Sequence, residues 1–172
     1  MQIHFTLNHK KAAAEIAPDT LLIDLVRSLG CKSVKRGCET ANCGLCTVFL
    51  DEKPVLSCSV LAARGDGPTG TTPEGFHWAR VDGRGVPTLE GLQEEAAEFG
   101  AFIADQGAEQ CGFCNPGFIM NALALFREKP DPNKEEIKEY LAGNLCRCSG
   151  YEGQLRGIQN FLAWKKSKEA AQ

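Results

Sequence analysis

Nine cysteines in 172 residues carry the chemistry that this sequence advertises. They fall at Cys31, Cys38, Cys43, Cys46 and Cys58, then, after a gap of 52 residues, at Cys111, Cys114, Cys146 and Cys148. An odd number cannot close completely into disulfides. At about 5 % of the chain it also sits below the roughly 8–10 % typical of a short secreted disulfide scaffold. The start, Met1-Gln2-Ile3-His4-Phe5, lacks the basic stretch and apolar run of a secretory signal, so a cytoplasmic location is expected. In that reducing compartment thiols bind metal or do redox work.

Cys38, Cys43 and Cys46 reproduce the C-x4-C-x2-C spacing of plant-type 2Fe–2S ferredoxins, which take a fourth cysteine from further along. Eleven residues separate Cys46 from Cys58, which can supply it. One loop must then wrap a cluster and present three thiolates, and Gly37 and Gly44 allow the turns that this needs. The alternative is a four-cysteine zinc site, but such sites prefer paired knuckles, which the lopsided first group matches less well. The second group joins a C-x2-C pair to a C-x-C pair, and by spacing alone it suits zinc or a second 2Fe–2S cluster equally. Cys31 lies outside both patterns and reads as a small buried hydrophobe.

The rest of the chain must position these thiols. With 43 % hydrophobic residues, 24 % charged and a net charge of −3, it can build its own core and offers no basic surface for nucleic acid. No apolar run approaches the ~20 residues that span a bilayer. His4, His9 and His77 are scattered, and with no P-loop or Ser/His/Asp pattern no catalytic residues are assigned. Ile3, Phe5 and Leu7 alternate as a half-buried strand, Ala12 to Ile16 return as a second, and residues 47–50 and 55–56 flank a hairpin. Asp19 and Thr20 are candidate caps for a helix through Leu21, Leu25 and Leu29. Beyond Thr88 four helical stripes follow. Asn115-Pro116 is expected to open the second, and Asn133 with Glu136 to form a capping box on the third.

Three strings carry a specific likeness: Gly37-Cys38-Glu39-Thr40-Ala41-Asn42-Cys43-Gly44-Leu45-Cys46, Gln110-Cys111-Gly112-Phe113-Cys114-Asn115-Pro116-Gly117 and Gly143-Asn144-Leu145-Cys146-Arg147-Cys148-Ser149-Gly150-Tyr151. From about residue 2 to about residue 164 the chain resembles the iron–sulfur subunit of the molybdenum hydroxylases, the family of xanthine dehydrogenase, aldehyde oxidoreductase and carbon monoxide dehydrogenase. The resemblance implies an α+β chain: a β-grasp ferredoxin-like domain over residues 1–67, a connecting loop over 68–86 and a four-helix domain over 87–172. It implies two 2Fe–2S clusters, an outer one on Cys38, Cys43, Cys46 and Cys58 and an inner one on Cys111, Cys114, Cys146 and Cys148. Gln110 and Cys148 would also contact the pterin of a molybdenum cofactor held by a large partner subunit, with FAD on another subunit.

The implied function is electron transfer from the molybdenum centre to a flavin or other acceptor. The substrate is chosen in the partner; a purine such as xanthine is the first expectation, with aldehydes, N-heterocycles and carbon monoxide open. The rival readings are a free-standing ferredoxin, which would not need the helical half, and a zinc-binding interaction module. Asn115 and Asn133 replace threonines usual in the family without loss of capping ability. The long 68–86 stretch, with Phe76, His77, Trp78 and Arg80, reads as a surface loop or a partner contact.

Overall fold

The computed structural model describes residues 1–63 and 81–170. Strands β1 (Gln2–Leu7) and β2 (Lys10–Glu15) form an antiparallel hairpin with Gln2 opposite Glu15 and Leu7 opposite Lys10. The alternation in β1 is realised, with Ile3, Phe5 and Leu7 buried. Asn8 and His9 make the turn with φ of 49° and 65°, the doubly left-handed geometry that matches strand twist. Asp51 and Glu52, at 47° and 66°, repeat it between β3 (Thr47–Leu50) and β4 (Lys53–Leu56).

Helix α1 (Leu22–Ser28) buries Leu22, Ile23, Leu25 and Val26 against these strands. Its N-cap is Leu21 and no side chain caps it, so the expected Asp19 or Thr20 cap is not made. Thr20 Oγ1 instead accepts from the Ala17 amide at 3.1 Å. The helix start is held by main chain, Leu22 N donating to the Val60 carbonyl at 2.7 Å.

The described end of the 68–86 stretch departs from a connecting loop. Gly85–Val86 form β5, parallel to β1, and Val81 and Val86 are fully buried in the N-terminal core. A two-residue strand is too short to show periodicity, so the sequence gives no sign of it. Asp51 N donates to Gly85 O (3.0 Å) and Phe49 N to Pro87 O (2.9 Å), joining the β3–β4 hairpin to the sheet. Phe76, His77, Trp78 and Arg80 lie outside the described residues.

The helical half comprises α2 (Gln93–Asp105), α3 (Asn115–Glu128), α4 (Lys134–Leu141) and α5 (Glu152–Ala170). Phe99, Phe118, Ile137, Ile158 and Phe161 fill its core, with Phe99 and Phe161 edge-on at 5.0 Å. The capping box of Asn133 and Glu136 forms as expected. Asn115 falls one residue inside α3, whose N-cap is Cys114 with Pro116 in the first turn. The two halves share apolar contact: Phe49 of β3 is fully buried with Leu92, Ala96, Met120 and Leu123. Arg127 of α3 covers that ring at 4.6 Å and pairs with Glu52 (2.5 Å) and Glu95 (2.6 Å).

Candidate metal centres

The loop between α1 and β3 carries Cys38, Cys43 and Cys46, and a 3-10 turn (Ser57–Ser59) after β4 carries Cys58. Ser57 fixes that turn, its amide (3.3 Å) and hydroxyl (2.7 Å) both donating to Cys46 O. The loop turns through left-handed Ala41 (φ 55°) and Gly44 (φ 71°). Main-chain amides of Thr40 and Asn42 converge on the Cys38 sulfur and lower its pKa to about 6. Burial pushes Cys43 up and takes Cys58 to about 11. Cys43 and Cys46 are buried, Cys38 and Cys58 half-buried.

The second group sits at two helix ends. Cys111 and Cys114 lie in the turn before α3, Cys146 and Cys148 in the segment between α4 and α5. Cys111 Sγ and Cys148 Sγ are 3.7 Å apart and both residues are exposed, whereas Cys114 and Cys146 are half-buried. Burial takes Cys114 to about 11, and Gln154 Nε2 lies 3.8 Å from its sulfur. At Cys146 burial pulls upward but is outweighed by the Ser149 hydroxyl and amide, and the pKa falls to about 7.

A cavity of about 580 Å³ is lined by Cys38 and Cys43 from the first group and by all four cysteines of the second. Leu145 N donates to Cys43 O at 2.9 Å, so residues next to one ligand loop bond directly to the other. The exposed apolar side chains Phe113, Leu145 and Tyr151 (47 %, 47 % and 46 %) surround the second group.

The thiols are grouped as neighbours: Cys38 with Cys43, Cys46 with Cys58, Cys114 with Cys146, and Cys111 with Cys148. Among the described residues no three His, Cys, Asp or Glu side chains converge on a single ion. Two thiolates per iron suit a 2Fe–2S cluster, whereas a structural zinc takes four donors about one point. These paired thiols fit a 2Fe–2S cluster, which spacing suggests for the first group and the resemblance implies for the second.

Gln110 is exposed, and its Nε2 donates to Cys148 O at 3.0 Å. Cys31 is buried apart from both quartets, 3.5 Å from Asn8 Nδ2. Sequence reasoning assigned nothing to Ser149, Tyr151 or Leu145. The available signal was a hydroxyl residue directly after the C-x-C pair.

Two cysteine quartets, one on a ferredoxin-like half and one on a helical half, carry the pattern of the two-cluster 2Fe–2S class. A family model described as a 2Fe-2S iron-sulfur cluster binding domain matches residues 5–68, and one described as a [2Fe-2S] binding domain matches 88–159. The chain is 41 % identical over 150 residues to the nicotinate dehydrogenase small FeS subunit of Eubacterium barkeri, covering 87 % of each chain. It is 39 % identical over 155 residues to the xanthine dehydrogenase iron-sulfur-binding subunit of Escherichia coli O157:H7, again covering 87 % of each. Among solved structures it matches quinoline 2-oxidoreductase from Pseudomonas putida 86 with a TM-score of 0.80 at 31 % identity, over 98 % of this chain and 96 % of that one. The chain belongs to the iron–sulfur subunits of the molybdenum hydroxylases. It is an electron-transfer subunit of an oxidoreductase complex and has a molybdopterin-binding partner.

Proposed function

We propose that Cys111, Cys114, Cys146 and Cys148 hold the cluster that faces the partner's molybdenum cofactor, and that Cys38, Cys43, Cys46 and Cys58 hold the outer cluster. Each cluster, when bound, supplies a one-electron store. Cys111 and Cys148 form the entry edge because they are the exposed pair and lie among Phe113, Leu145 and Tyr151, an apolar surface suited to burial against a partner. Cys146 forms the exit: through Leu145 N–H and the Cys43 carbonyl, 2.9 Å apart, it connects to the first loop. That hydrogen bond is the observation that carries the reading.

Gln110 uses its side-chain nitrogen on Cys148 O and keeps its carbonyl oxygen as an acceptor for a pterin N–H. An FAD-bearing subunit is the natural receiver from the outer cluster, and the complex works in the cytoplasm. The substrate class that we favour is a nitrogen heteroaromatic ring, a purine such as xanthine among them, because nicotinate, xanthine and quinoline appear in the names of the relatives.

Purification of the native complex followed by anaerobic reduction tests this reading. Two distinct electron paramagnetic resonance signals, with acid-labile sulfide, are expected. A colourless chain holding two zinc ions and no sulfide would overturn it. Turnover of aldehydes or carbon monoxide in place of heteroaromatic rings would overturn the substrate class alone.

A further inference from the structure

Cys146 is held in a closed ring of hydrogen bonds. Ser149 points both its donors at the Cys146 sulfur, the amide at 3.3 Å and the hydroxyl at 3.1 Å. The Tyr151 amide donates to Ser149 Oγ at 3.2 Å, and the Cys146 amide donates to Tyr151 Oη at 3.2 Å. Gly150 and Tyr151 are both left-handed, with φ of 63° and 70°, and this curl folds Ser149 back over Cys146. A serine hydroxyl has a single proton. With Oγ accepting from Tyr151, that proton is left to point at sulfur.

We propose that Ser149 is the positioning residue that sets the reduction potential of the second cluster, through its hydroxyl hydrogen bond to Cys146 Sγ. The inference rests on Cys146 being a ligand of a 2Fe–2S cluster, as argued above. Reduction adds one electron to the cluster; no bond breaks and Ser149 keeps its proton. A donor facing a ligand sulfur stabilises the form with the greater negative charge, so it favours reduction. The effect is directed to one cluster, because the Cys38 sulfur of the first quartet is served by main-chain amides that no substitution at Ser149 touches. It also falls on the ligand whose main chain continues to Leu145 and Cys43, so it acts on the step between the clusters.

The test is a mediated redox titration of the complex, following each cluster by its paramagnetic signal, in the native protein and in Ser149→Ala and Ser149→Thr. Alanine keeps the amide and removes the hydroxyl; threonine keeps both. Ser149→Ala should shift electron partition about tenfold away from the second cluster, equivalent to about 59 mV for a one-electron couple, with the first cluster unmoved. Ser149→Thr should restore the native value. Ser149→Ala with both clusters present and an unchanged partition would overturn the proposal, whereas absence of iron–sulfur signals from the native protein would overturn the cluster reading beneath it. If Ser149→Ala fails to retain the cluster, proton–deuteron exchange on the native protein decides. A hydroxyl proton coupled to the second cluster, besides those of the Ser149 and Cys148 amides, is expected, and finding amide protons alone would sink the idea.

Discussion

Gly117, in the first turn of α3, lies directly against the Gly44 carbonyl in the first cysteine loop. A β-carbon at Gly117 would strike that oxygen and come within 2.9 Å of the Leu45 α-carbon. Gly44 is equally confined, since a β-carbon there would stand 2.7 Å from Asn144 Nδ2 and clash with the Gly143 carbonyl. Three segments thus meet backbone to backbone, and each carries or adjoins a cysteine of one of the quartets. Gly117→Ala should destabilise the protein by about 1–3 kcal/mol through overpacking, and should weaken the magnetic interaction between the reduced clusters. Thermal unfolding and low-temperature paramagnetic resonance measure the two effects; a variant with native values for both would show that the contact is dispensable.

The quartets belong to different elements, so they should be separable by mutation. Cys58→Ala is expected to abolish the first cluster's signal and leave the second intact, and Cys111→Ala to do the converse. Cys31→Ala should keep both signals, because the thiol is buried beside Asn8 and faces neither quartet. Its cost is stability alone, about 1 kcal/mol for a small buried side chain. Iron and sulfide analysis alongside the spectra checks all three variants.

Arg127 ties α3 to α2 through Glu95 and to the β3–β4 turn through Glu52, while covering the Phe49 ring. Arg127→Ala should cost about 1–2 kcal/mol, since partly exposed ion pairs contribute little singly and the ring contact adds about 0.5–1. Arg127→Lys should recover only part of this, because an ammonium cannot bind Glu95 with two nitrogens at once. Urea unfolding midpoints of the three proteins are the measurement.

Glu90 links the segment after β5 to the loop that leads into Cys38. It accepts from the Ser33 amide (2.8 Å) and hydroxyl (2.5 Å) and from the Thr88 hydroxyl (2.6 Å). Burial works against its charge, but the Ser33 and Thr88 bonds outweigh it and hold its pKa below the usual 4.5. A carboxylate with a lowered folded pKa stabilises the fold above its unfolded pKa, and that contribution is lost as pH falls through the folded value. Glu90→Gln should therefore destabilise the protein by about 1–2 kcal/mol at neutral pH, with the difference from the native protein closing only on the acid side of 4.5. Urea midpoints collected over that range measure it; a penalty that does not change with pH would exclude the charge as its source.

Much of the fold is legible in the sequence. Period-2 alternation exposed β1, the Asn133–Glu136 pair exposed the start of α4, and cysteine spacing alone grouped Cys38, Cys43, Cys46 and Cys58. The second quartet was not legible by spacing, because its pairs lie on either side of α3 and α4 and only the fold brings Cys111 to Cys148. The α1 cap was misread for a similar reason: the helix start is fixed by Val60, a residue far along the chain, and not by a local side chain. Strand β5 escaped notice because two residues carry no period. Ser149 stood within a quoted string, but its aim at Cys146 depends on two left-handed residues after it, a conformation that Tyr151 does not advertise.

The Leu145–Cys43 hydrogen bond has a consequence for timing. The approach between the two loops is made of main chain and glycine, so the gap that an electron must tunnel across inherits the stiffness of peptide planes and not the rotamer freedom of side chains. A gap set in this way varies little from molecule to molecule or with whatever docks outside. The transfer rate between the two halves should then follow a single exponential, a clock built into the small subunit before it meets its partners.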